Sequence, residues 1–324
     1  MVSRPQRLRS KASGLALGLT AGALLLNSCG MGQKPQESKP LSADDSSIAT
    51  VEKTVAKRAA PSVQRVSYPV QGTGDPWQNW GDLYLPSGIH KAKSVPMVVL
   101  IHGGGWRSTS GAGDFSYYAS ALADRGLAVY NIEYRRVGSG GGWPTTFTDV
   151  ASALDHVPDL VKEHPELKPD AQVVGHSAGA QLALWAGTRA DRPSDAIAPN
   201  PRFKPSRIVA LAGPLDMSFA SKTGDQGMVD AIGGSPSSLA RRYAAVDPIQ
   251  NIDPNIPVVA VHGTADQTVS YLNSQRYIDA VHRAGGSGTL RLLDGDNHGT
   301  LICPGTPNYQ GVLDLISSGS APSR

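Results

Sequence analysis

A short turn between an apolar run and a helix-forming run constrains the fold of this chain more than any other feature. The turn, residues 175–179, reads Gly-His-Ser-Ala-Gly; the uncharged run 171–174 precedes it, and residues 180–186, most of them good helix formers, follow it. A serine on so tight a turn from strand to helix adopts a strained backbone conformation, which the small Ala178 and the two flanking glycines accommodate. The pattern therefore predicts that Ser177 presents its hydroxyl at the N-terminus of a helix, where negative charge is stabilised.

Three consecutive glycines follow a second apolar run. Residues 95–101 are uncharged and rich in β-branched side chains, as in a strand buried on both faces, and residues 102–106 read His-Gly-Gly-Gly-Trp. Without side chains in the way, the amides of such a loop can point at an oxygen that becomes negatively charged during acyl transfer. We expect Gly104, Gly105 and Ala178 to supply these amides, with the register inside the triplet open by one residue. A flexible glycine turn is the alternative.

An aspartate and a histidine each follow a further predicted strand. Asp266 comes shortly after residues 256–261, and His298 lies in the loop after residues 289–293. The chain order is therefore Ser, Asp, His, with each residue just past the carboxyl end of a predicted strand. That order belongs to one class of serine hydrolase and differs from the two other common orders. We expect Ser177 to act as nucleophile, His298 as base and acid, and Asp266 as the group that orients the imidazole.

Four other polar residues compete for these roles. Asp216 follows the preceding predicted strand, and it is the alternative to Asp266 as the acid. We expect His262 to be a turn residue beside the acid and His176 to point away along the start of the helix. Asp296 is expected to order the histidine loop.

On these motifs the chain resembles the α/β-hydrolase superfamily. Within it, the chain is similar to small carboxylesterases and acetyl esterases related to hormone-sensitive lipase and to arylformamidases. The resemblance runs from about residue 63 to the C-terminus. It implies an α/β-hydrolase fold: a mostly parallel, eight-stranded sheet flanked by helices, with a small partial lid.

The resemblance also implies an activity. A Ser-His-Asp triad of this kind cleaves carboxylic esters through an acyl-enzyme intermediate, and we expect small acyl groups and a small-molecule ester substrate. An arylformamidase acting on an N-formyl-kynurenine-like amide is the alternative, and a non-catalytic surface binding protein of the same fold is the third possibility. No H-E-x-x-H motif is present and a serine triad needs no cofactor, so we expect neither a metal nor a cofactor.

Strand-like and helix-like segments alternate, as in a sheet with crossover helices. The predicted strands are residues 63–70, 83–85, 95–101, 127–132, 171–174, 208–211, 256–261 and 289–293. The predicted helices, besides the one after Ser177, are residues 115–125, 146–163, 272–284 and 309–316. Segments 188–206 and 217–254 interrupt the alternation; we expect both to form the partial lid, with one short helix at 238–244. Candidates for an aromatic pocket wall, with core packing as the equal alternative, are Trp106, Tyr134, Trp143 and Trp185.

The N-terminus predicts export. Residues 1–28 combine four basic residues with the apolar stretch 12–26, as in a signal peptide, and end beside Leu-Asn-Ser-Cys-Gly, which resembles a bacterial lipobox with Cys29 as the lipid attachment site. An ordinary cleaved secretory signal is the alternative. The remaining chain divides into a flexible tether, 29–60, rich in polar residues and proline, and a catalytic domain, 61–324. We expect a protein of the bacterial cell envelope that meets the membrane only through its lipid, or a secreted or periplasmic one.

Removal of the N-terminal segment changes the charge. Without its four positive charges the formal net charge of the chain falls from +3 to −1. The basic residues of the full sequence are therefore no argument for nucleic acid binding, and we expect none.

Overall fold

The computed structural model of the chain describes residues 61–190, 197–223 and 225–319, all of which belong to one compact unit. The expected signal peptide (1–28), Cys29 and the tether (29–60) lie outside the described residues. Of the helices in the described part of the chain, none is long and apolar enough to cross a membrane.

Within the described residues, eight strands form one sheet. The strands are β1 (Ser62–Ser67), β2 (Trp80–Leu85), β3 (Val95–Ile101), β4 (Ala128–Ile132), β5 (Leu167–His176), β6 (Arg207–Leu211), β7 (Val258–Gly263) and β8 (Gly288–Leu293). Their order across the sheet is β1-β2-β4-β3-β5-β6-β7-β8. β2 runs antiparallel to β1 and β4, and every other neighbouring pair is parallel. The predicted mostly parallel, eight-stranded sheet is confirmed.

Helices cover both faces of the sheet. The α-helices are α1 (Ser116–Ala123), α2 (Thr145–Asp155), α3 (Val157–Glu163), α4 (Ala178–Gly187), α5 (Met217–Ala220), α6 (Gln226–Ile232), α7 (Ala240–Val246), α8 (Leu272–Arg283) and α9 (Tyr309–Ser318), and short 3-10 helices span Ala112–Phe115, Ser221–Thr223 and Pro248–Gln250. Successive side chains of a strand point to opposite faces. In β3, Val98 and Leu100 therefore belong to the core cluster that includes residues of α1 and α9, whereas Met97 and Val99 belong to the cluster that includes residues of α2, α3, α4 and α8. Burial on both sides is why this run carries no charge.

The predicted helix 146–163 is wrong as a single element. It consists of α2 and α3, which meet at His156. Pro158 lies in the first turn of α3. Proline has no backbone N–H, so it is tolerated in the first turn of a helix but not in the interior, and a new helix starts here.

Segment 217–254 holds more structure than the single predicted helix. Its described residues form α5, α6, α7 and two 3-10 helices. The side chains of Asp216 and Asp225 accept hydrogen bonds from the backbone amides of Phe219 and Met228, and so cap α5 and α6. These two aspartates are the only signal in the sequence that could mark the starts of α5 and α6. The helices themselves are too short to show a 3.6-residue period of apolar residues. We call residues 217–246 the cap segment.

Segment 188–206 is not part of a lid, contrary to the prediction. Its described residues lie at the amino end of the parallel strands, because α4 returns there from the carboxyl end of β5 before β6 begins. The guanidinium of Arg189 donates to the carboxylate of Asp155 at the end of α2 (2.9 Å), and the amide of Ser206 donates to the carbonyl of Ala171 (2.9 Å). A crossover between parallel strands has to return to the amino end of the sheet. The polar composition of segment 188–206 is therefore that of a connection between α4 and β6.

Candidate active site

Ser177 sits at a sharp corner between β5 and α4. Its φ of 54° and ψ of −123° place it outside the common regions for a residue with a side chain, as the motif predicts. Its amide donates to the carbonyl of Leu211 in β6 at 2.8 Å, which fixes the corner to the sheet. Ala178 is the first residue of α4, and the first amides of a helix have no acceptor within it.

The two glycines around this corner are required by close backbone contacts. A Cβ atom on Gly175 would lie 2.1 Å from the carbonyl oxygen of Gly179, and one on Gly179 would lie 2.2 Å from that of Ile101 in β3. Neither contact leaves space for a methyl group. The glycines therefore let the turn at Ser177 lie directly against β3.

Three residues remote in sequence converge here. The Nε2 of His298 lies 2.9 Å from the Oγ of Ser177, and its Nδ1 lies 2.8 Å from the Oδ2 of Asp266. A carboxylate can only accept, so Nδ1 carries the proton and Nε2 is left to accept from the serine hydroxyl. The carboxylate of Asp266 is fully buried, whereas the His298 side chain retains 17% exposure. The imidazole is thus reachable from solvent while its partner is not.

The Asp266 carboxylate is held by four hydrogen bonds. Its Oδ1 accepts from the amides of Thr268 (2.8 Å) and Val269 (2.9 Å), and its Oδ2 accepts from the imidazoles of His298 and His262. Burial works to raise the pKa of this carboxyl, but the hydrogen bonds from the two histidines outweigh it, and the net result is a pKa below its ordinary value. Asp266 is therefore an anion throughout the physiological range.

The prediction that His262 is a turn residue is wrong. His262 is part of β7 and is fully buried. Its Nε2 lies 3.1 Å from the Oδ2 of Asp266 and 2.8 Å from the carbonyl oxygen of Val269, so Nε2 donates to both. Its Nδ1 lies 2.7 Å from the hydroxyl of Ser274 in α8. His262 thereby holds the carboxylate of Asp266 in place, a role that its position directly after an apolar run does not reveal.

His176 also departs from expectation, because its ring faces the histidine loop. Its Nε2 donates to the backbone carbonyl of His298 at 2.9 Å, and the two ring centroids are 4.9 Å apart. Burial, and then the proximity of His298, lower the pKa of His176 to about 3. The neutral ring holds the backbone that carries His298.

The alternative acid does not reach His298. The carboxylate of Asp216 accepts from the amide of Phe219 (2.9 Å) and from the guanidinium of Arg276 (2.7 Å). Asp296 lies in the histidine loop, where its carboxylate accepts from the side-chain amide of Asn308 at 2.5 Å. The structure thus brings Asp266, and not Asp216, to the imidazole.

The glycine loop runs alongside Ser177. A Cβ atom on Gly103 would lie 2.8 Å from the carbonyl oxygen of His176 and 3.1 Å from the Cβ of Ser177. Gly104 and Gly105 follow with φ angles of 106° and 61°, in the region that favours glycine. The backbone groups expected as donors therefore belong to a loop that touches the serine.

A buried ionic cluster supports this loop. His102 lies 3.2 Å from the carboxylate of Glu133, which pairs with Arg136 at 2.6 Å and accepts from the amide of Ala112 at 3.0 Å. The hydroxyl of Tyr134 donates to the carbonyl of His102 at 2.8 Å. Burial works to raise the pKa of Glu133, but the hydrogen bond from His102 and the nearby positive charges outweigh it and lower that pKa. Sequence patterns did not connect these residues, which come from two loops.

Three of the four candidate wall aromatics are core residues. Trp106, Tyr134 and Trp185 are buried, and only Trp143 of this set is partly exposed. The guanidinium of Arg242 in α7 lies 5.2 Å from the centroid of the Trp143 ring. Within the described residues, no group of three or more His, Cys, Asp or Glu side chains is arranged to hold a metal ion.

Comparison with known proteins places the chain in a family. The sequence model of the BD-FAE family matches residues 82–280. Among curated proteins, the chain is 33% identical over 155 residues to the non-reducing polyketide synthase adrD of Penicillium roqueforti, covering 45% of this chain and 6% of that protein. It is 24% identical over 235 residues to the esterase LipC of Mycobacterium tuberculosis, covering 70% of this chain and 56% of LipC. The chain thus spans less than two thirds of these relatives.

Solved structures share the fold. A truncated carbohydrate esterase from gut microbiota superposes with a TM-score of 0.66 at 20% identity, covering 81% of this chain and 99% of that one. At this identity the likeness concerns the fold alone. With the sheet order, the crossover helices and the family match over more than half of its length, the chain has the α/β-hydrolase fold and belongs to the BD-FAE family.

Proposed function

We propose that the protein is a serine hydrolase that cleaves carboxylic esters of small acyl groups. The observation that carries this proposal is the continuous chain of hydrogen bonds from the Ser177 hydroxyl through His298 to Asp266, at 2.9 and 2.8 Å. An imidazole whose Nδ1 faces a carboxylate and whose Nε2 faces a serine hydroxyl is the arrangement that general-base activation needs. The esterase names of LipC and of the carbohydrate esterase agree with it.

The reaction has two halves. In the first, the Oγ of Ser177 bonds to the acyl carbon while its proton moves to the Nε2 of His298; the C–O bond to the alcohol then breaks, and that proton passes to the leaving oxygen. In the second, His298 takes a proton from water as the water oxygen bonds to the acyl carbon; the C–O bond to Ser177 then breaks, the proton passes to the Oγ of Ser177, and the carboxylic acid leaves. Asp266 stays ionised in both halves and stabilises the imidazolium, since its hydrogen bonds hold its pKa low.

The tetrahedral intermediates carry a negative oxygen, and we assign its donors to Gly104, Gly105 and Ala178. The amide of Ser177 is engaged with Leu211 and so cannot contribute, whereas that of Ala178 has no acceptor within the helix. One preorganised donor of this kind is worth about 3 kcal/mol of barrier.

The cap segment favours small acyl groups. A Cβ atom on Gly227 in α6 would lie 2.7 Å from the carbonyl oxygen of Gly105, so the backbone of α6 sits directly on the glycine loop. The cap segment consists of short helices, and the sequence offers no long apolar run to line a deep acyl channel. A short acyl chain fits such a site better than a long one.

A panel of substrates tests the proposal. Wild-type protein should turn over p-nitrophenyl acetate with a kcat/KM about tenfold above that for the octanoate, and should prefer the acetate to N-formyl-kynurenine. Ser177→Ala should lower kcat by about a millionfold and should abolish labelling by a fluorophosphonate, while circular dichroism stays unchanged. Turnover by Ser177→Ala refutes the assignment. Preference for the formamide supports the arylformamidase alternative, and a folded wild type that neither turns over nor reacts with the label is a binding protein.

Two aspartates provide a matched pair for the acid. Asp266→Asn should lower kcat about 10⁴-fold, because the amide no longer fixes the tautomer of His298. Asp216→Asn should leave kcat within about threefold, because its carboxylate caps α5 and pairs with Arg276 instead. Steady-state kinetics of both variants with p-nitrophenyl acetate check this, and a loss from Asp216→Asn as deep as that from Asp266→Asn would reverse the assignment.

A further inference from the structure

Trp106, directly after the glycine triplet, has a strained backbone. Its φ is 57°, in the left-handed region that a bulky side chain avoids, and its side chain is buried. Its carbonyl accepts from the amide of Val137 at 2.9 Å, and the next amide, of Arg107, donates to the carbonyl of Gly104 at 3.1 Å. Such a conformation persists only where surrounding groups hold it.

The side chain that holds the indole is Gln181. The Nε1 of Trp106 donates to the Oε1 of Gln181 at 3.2 Å. At its other end, the Nε2 of Gln181 donates to the carbonyl of Val246, at the end of α7, at 2.8 Å. An indole N–H only donates and a carbonyl only accepts, so the two partners fix the orientation of the amide. Gln181 is fully buried and lies on α4, four residues after Ser177.

One buried amide therefore joins three elements: the glycine loop, the helix that starts at the nucleophile, and the cap segment. If Trp106 relaxed to an ordinary φ, the chain would leave the triplet in a different direction, and the amides of Gly104 and Gly105 would turn with it. Resting on the proposed hydrolase function, we propose that Gln181 is a positioning residue that keeps the glycine loop aimed at the oxyanion by locking the strained Trp106. It touches neither substrate nor the reacting atoms.

The chain offers a matched control one turn along the same helix. The Nε1 of Trp185 in α4 donates to the carbonyl of Ala245 at 3.0 Å, next to the carbonyl that Gln181 binds, and Trp185 is equally buried. This bond links α4 to the cap segment without involving the glycine loop. Trp185→Phe thus removes an indole donor, as Trp106→Phe does, and a hydrogen bond to the cap segment, as Gln181→Met does, but it spares the glycine loop.

Kinetics form the first part of the test. Gln181→Met and Trp106→Phe should each lower kcat for p-nitrophenyl acetate about tenfold with KM changed less than about twofold, because the loop acts in the transition state. The double variant should lose no more than the worse single variant, since both single variants break the same Trp106–Gln181 hydrogen bond. Trp185→Phe should keep kcat within about twofold of wild type. Losses that multiply in the double variant, a change confined to KM, or an equal loss in Trp185→Phe would overturn the proposal.

Hydrogen exchange forms the second part and does not depend on turnover. The amides of residues 103–107 should exchange about tenfold faster in Gln181→Met than in wild type and at the wild-type rate in Trp185→Phe, when measured by mass spectrometry. Unchanged exchange in Gln181→Met overturns the positioning role. If wild-type protein lacks both turnover and fluorophosphonate labelling, the hydrolase function fails, and the exchange result still decides whether Gln181 holds the loop.

Discussion

Around Ser177, burial and hydrogen-bond partners determine the protonation states of His176 and Asp266. Two histidines flank the His298 imidazole, one bound to its backbone and one to its acid. His176 is kept neutral by burial, with a pKa near 3, and Asp266 is kept ionised by donors. A site of this kind has one imidazole free to move a proton, since the other two are committed to holding its surroundings.

The low pKa of His176 predicts a pH dependence of stability. Its pKa is about 3 in the folded protein and 6.5 for an unperturbed histidine, so between these values the unfolded chain binds a proton that the folded one does not. This contribution therefore lowers the free energy of unfolding as pH falls from 6.5 towards 3, by at most about 1.4 kcal/mol per pH unit. His176→Gln should flatten this slope.

Urea unfolding at pH 7, 6 and 5 measures the slope directly. His282→Gln is the control, because it removes an imidazole that is exposed on α8. Its slope should match that of wild type. A slope in His176→Gln as steep as in wild type would mean that His176 is protonated in the folded protein.

The residues that sequence could place are those with a local signal. Ser177 lies in a pentapeptide between strand and helix, and Asp266 and His298 each follow a strand. The ring directions of His176 and His262 had no such signal, because they depend on contacts with loops remote in sequence. Gln181 looks like an ordinary helix residue until its two partners, Trp106 and Val246, are brought to it by the fold.

At the scale of the helices and strands, the close contact of α4 with β3 depends on Gly179, which has no side chain. Gly179→Ala would place a methyl group 2.2 Å from the carbonyl oxygen of Ile101, a distance that backbone atoms cannot relieve without moving the helix. We expect a loss of about 3 kcal/mol in the free energy of unfolding.

Gly311 in α9 is the matched control for this substitution. A Cβ there meets no atom within 4 Å, so Gly311→Ala should stabilise the protein by about 0.5–1 kcal/mol through helix propensity. Guanidinium unfolding of both variants checks the pair. A Gly179→Ala protein as stable as wild type would show that α4 can shift away from the sheet.

Strands were easier to predict than the cap. Buried parallel strands such as β3 and β7 show as uncharged β-branched runs, and their predicted ends fall within a few residues of the observed ones. The cap helices are too short for periodicity, so only their capping aspartates mark them. The position of segment 188–206 could not be predicted from composition, because polar connections look alike at either end of a sheet.

At the scale of the whole molecule, we propose that the fold works outside the cytoplasm on a lipid tether. The basic, apolar and lipobox-like segments of residues 1–29 support this proposal. Stable membrane attachment needs more than one acyl chain, which a lipidated N-terminal cysteine provides.

Mass spectrometry of protein from bacterial membranes tests the tether. The N-terminal peptide should begin at Cys29 and carry the added mass of a diacylglyceryl thioether and an N-acyl group. Cys29→Ser should move the protein from the membrane to the soluble fraction. An unmodified Cys29, or a mature chain that starts later, would contradict the proposal.

The order of strands along the chain has a consequence for synthesis. β8 is an edge of the sheet and among the last elements to be made, and the loop after it brings His298. A growing chain that stops short of this loop has the serine hydroxyl but no imidazole to take its proton. Under the proposed function, the polypeptide therefore gains its chemistry only after the loop that carries His298 has been made.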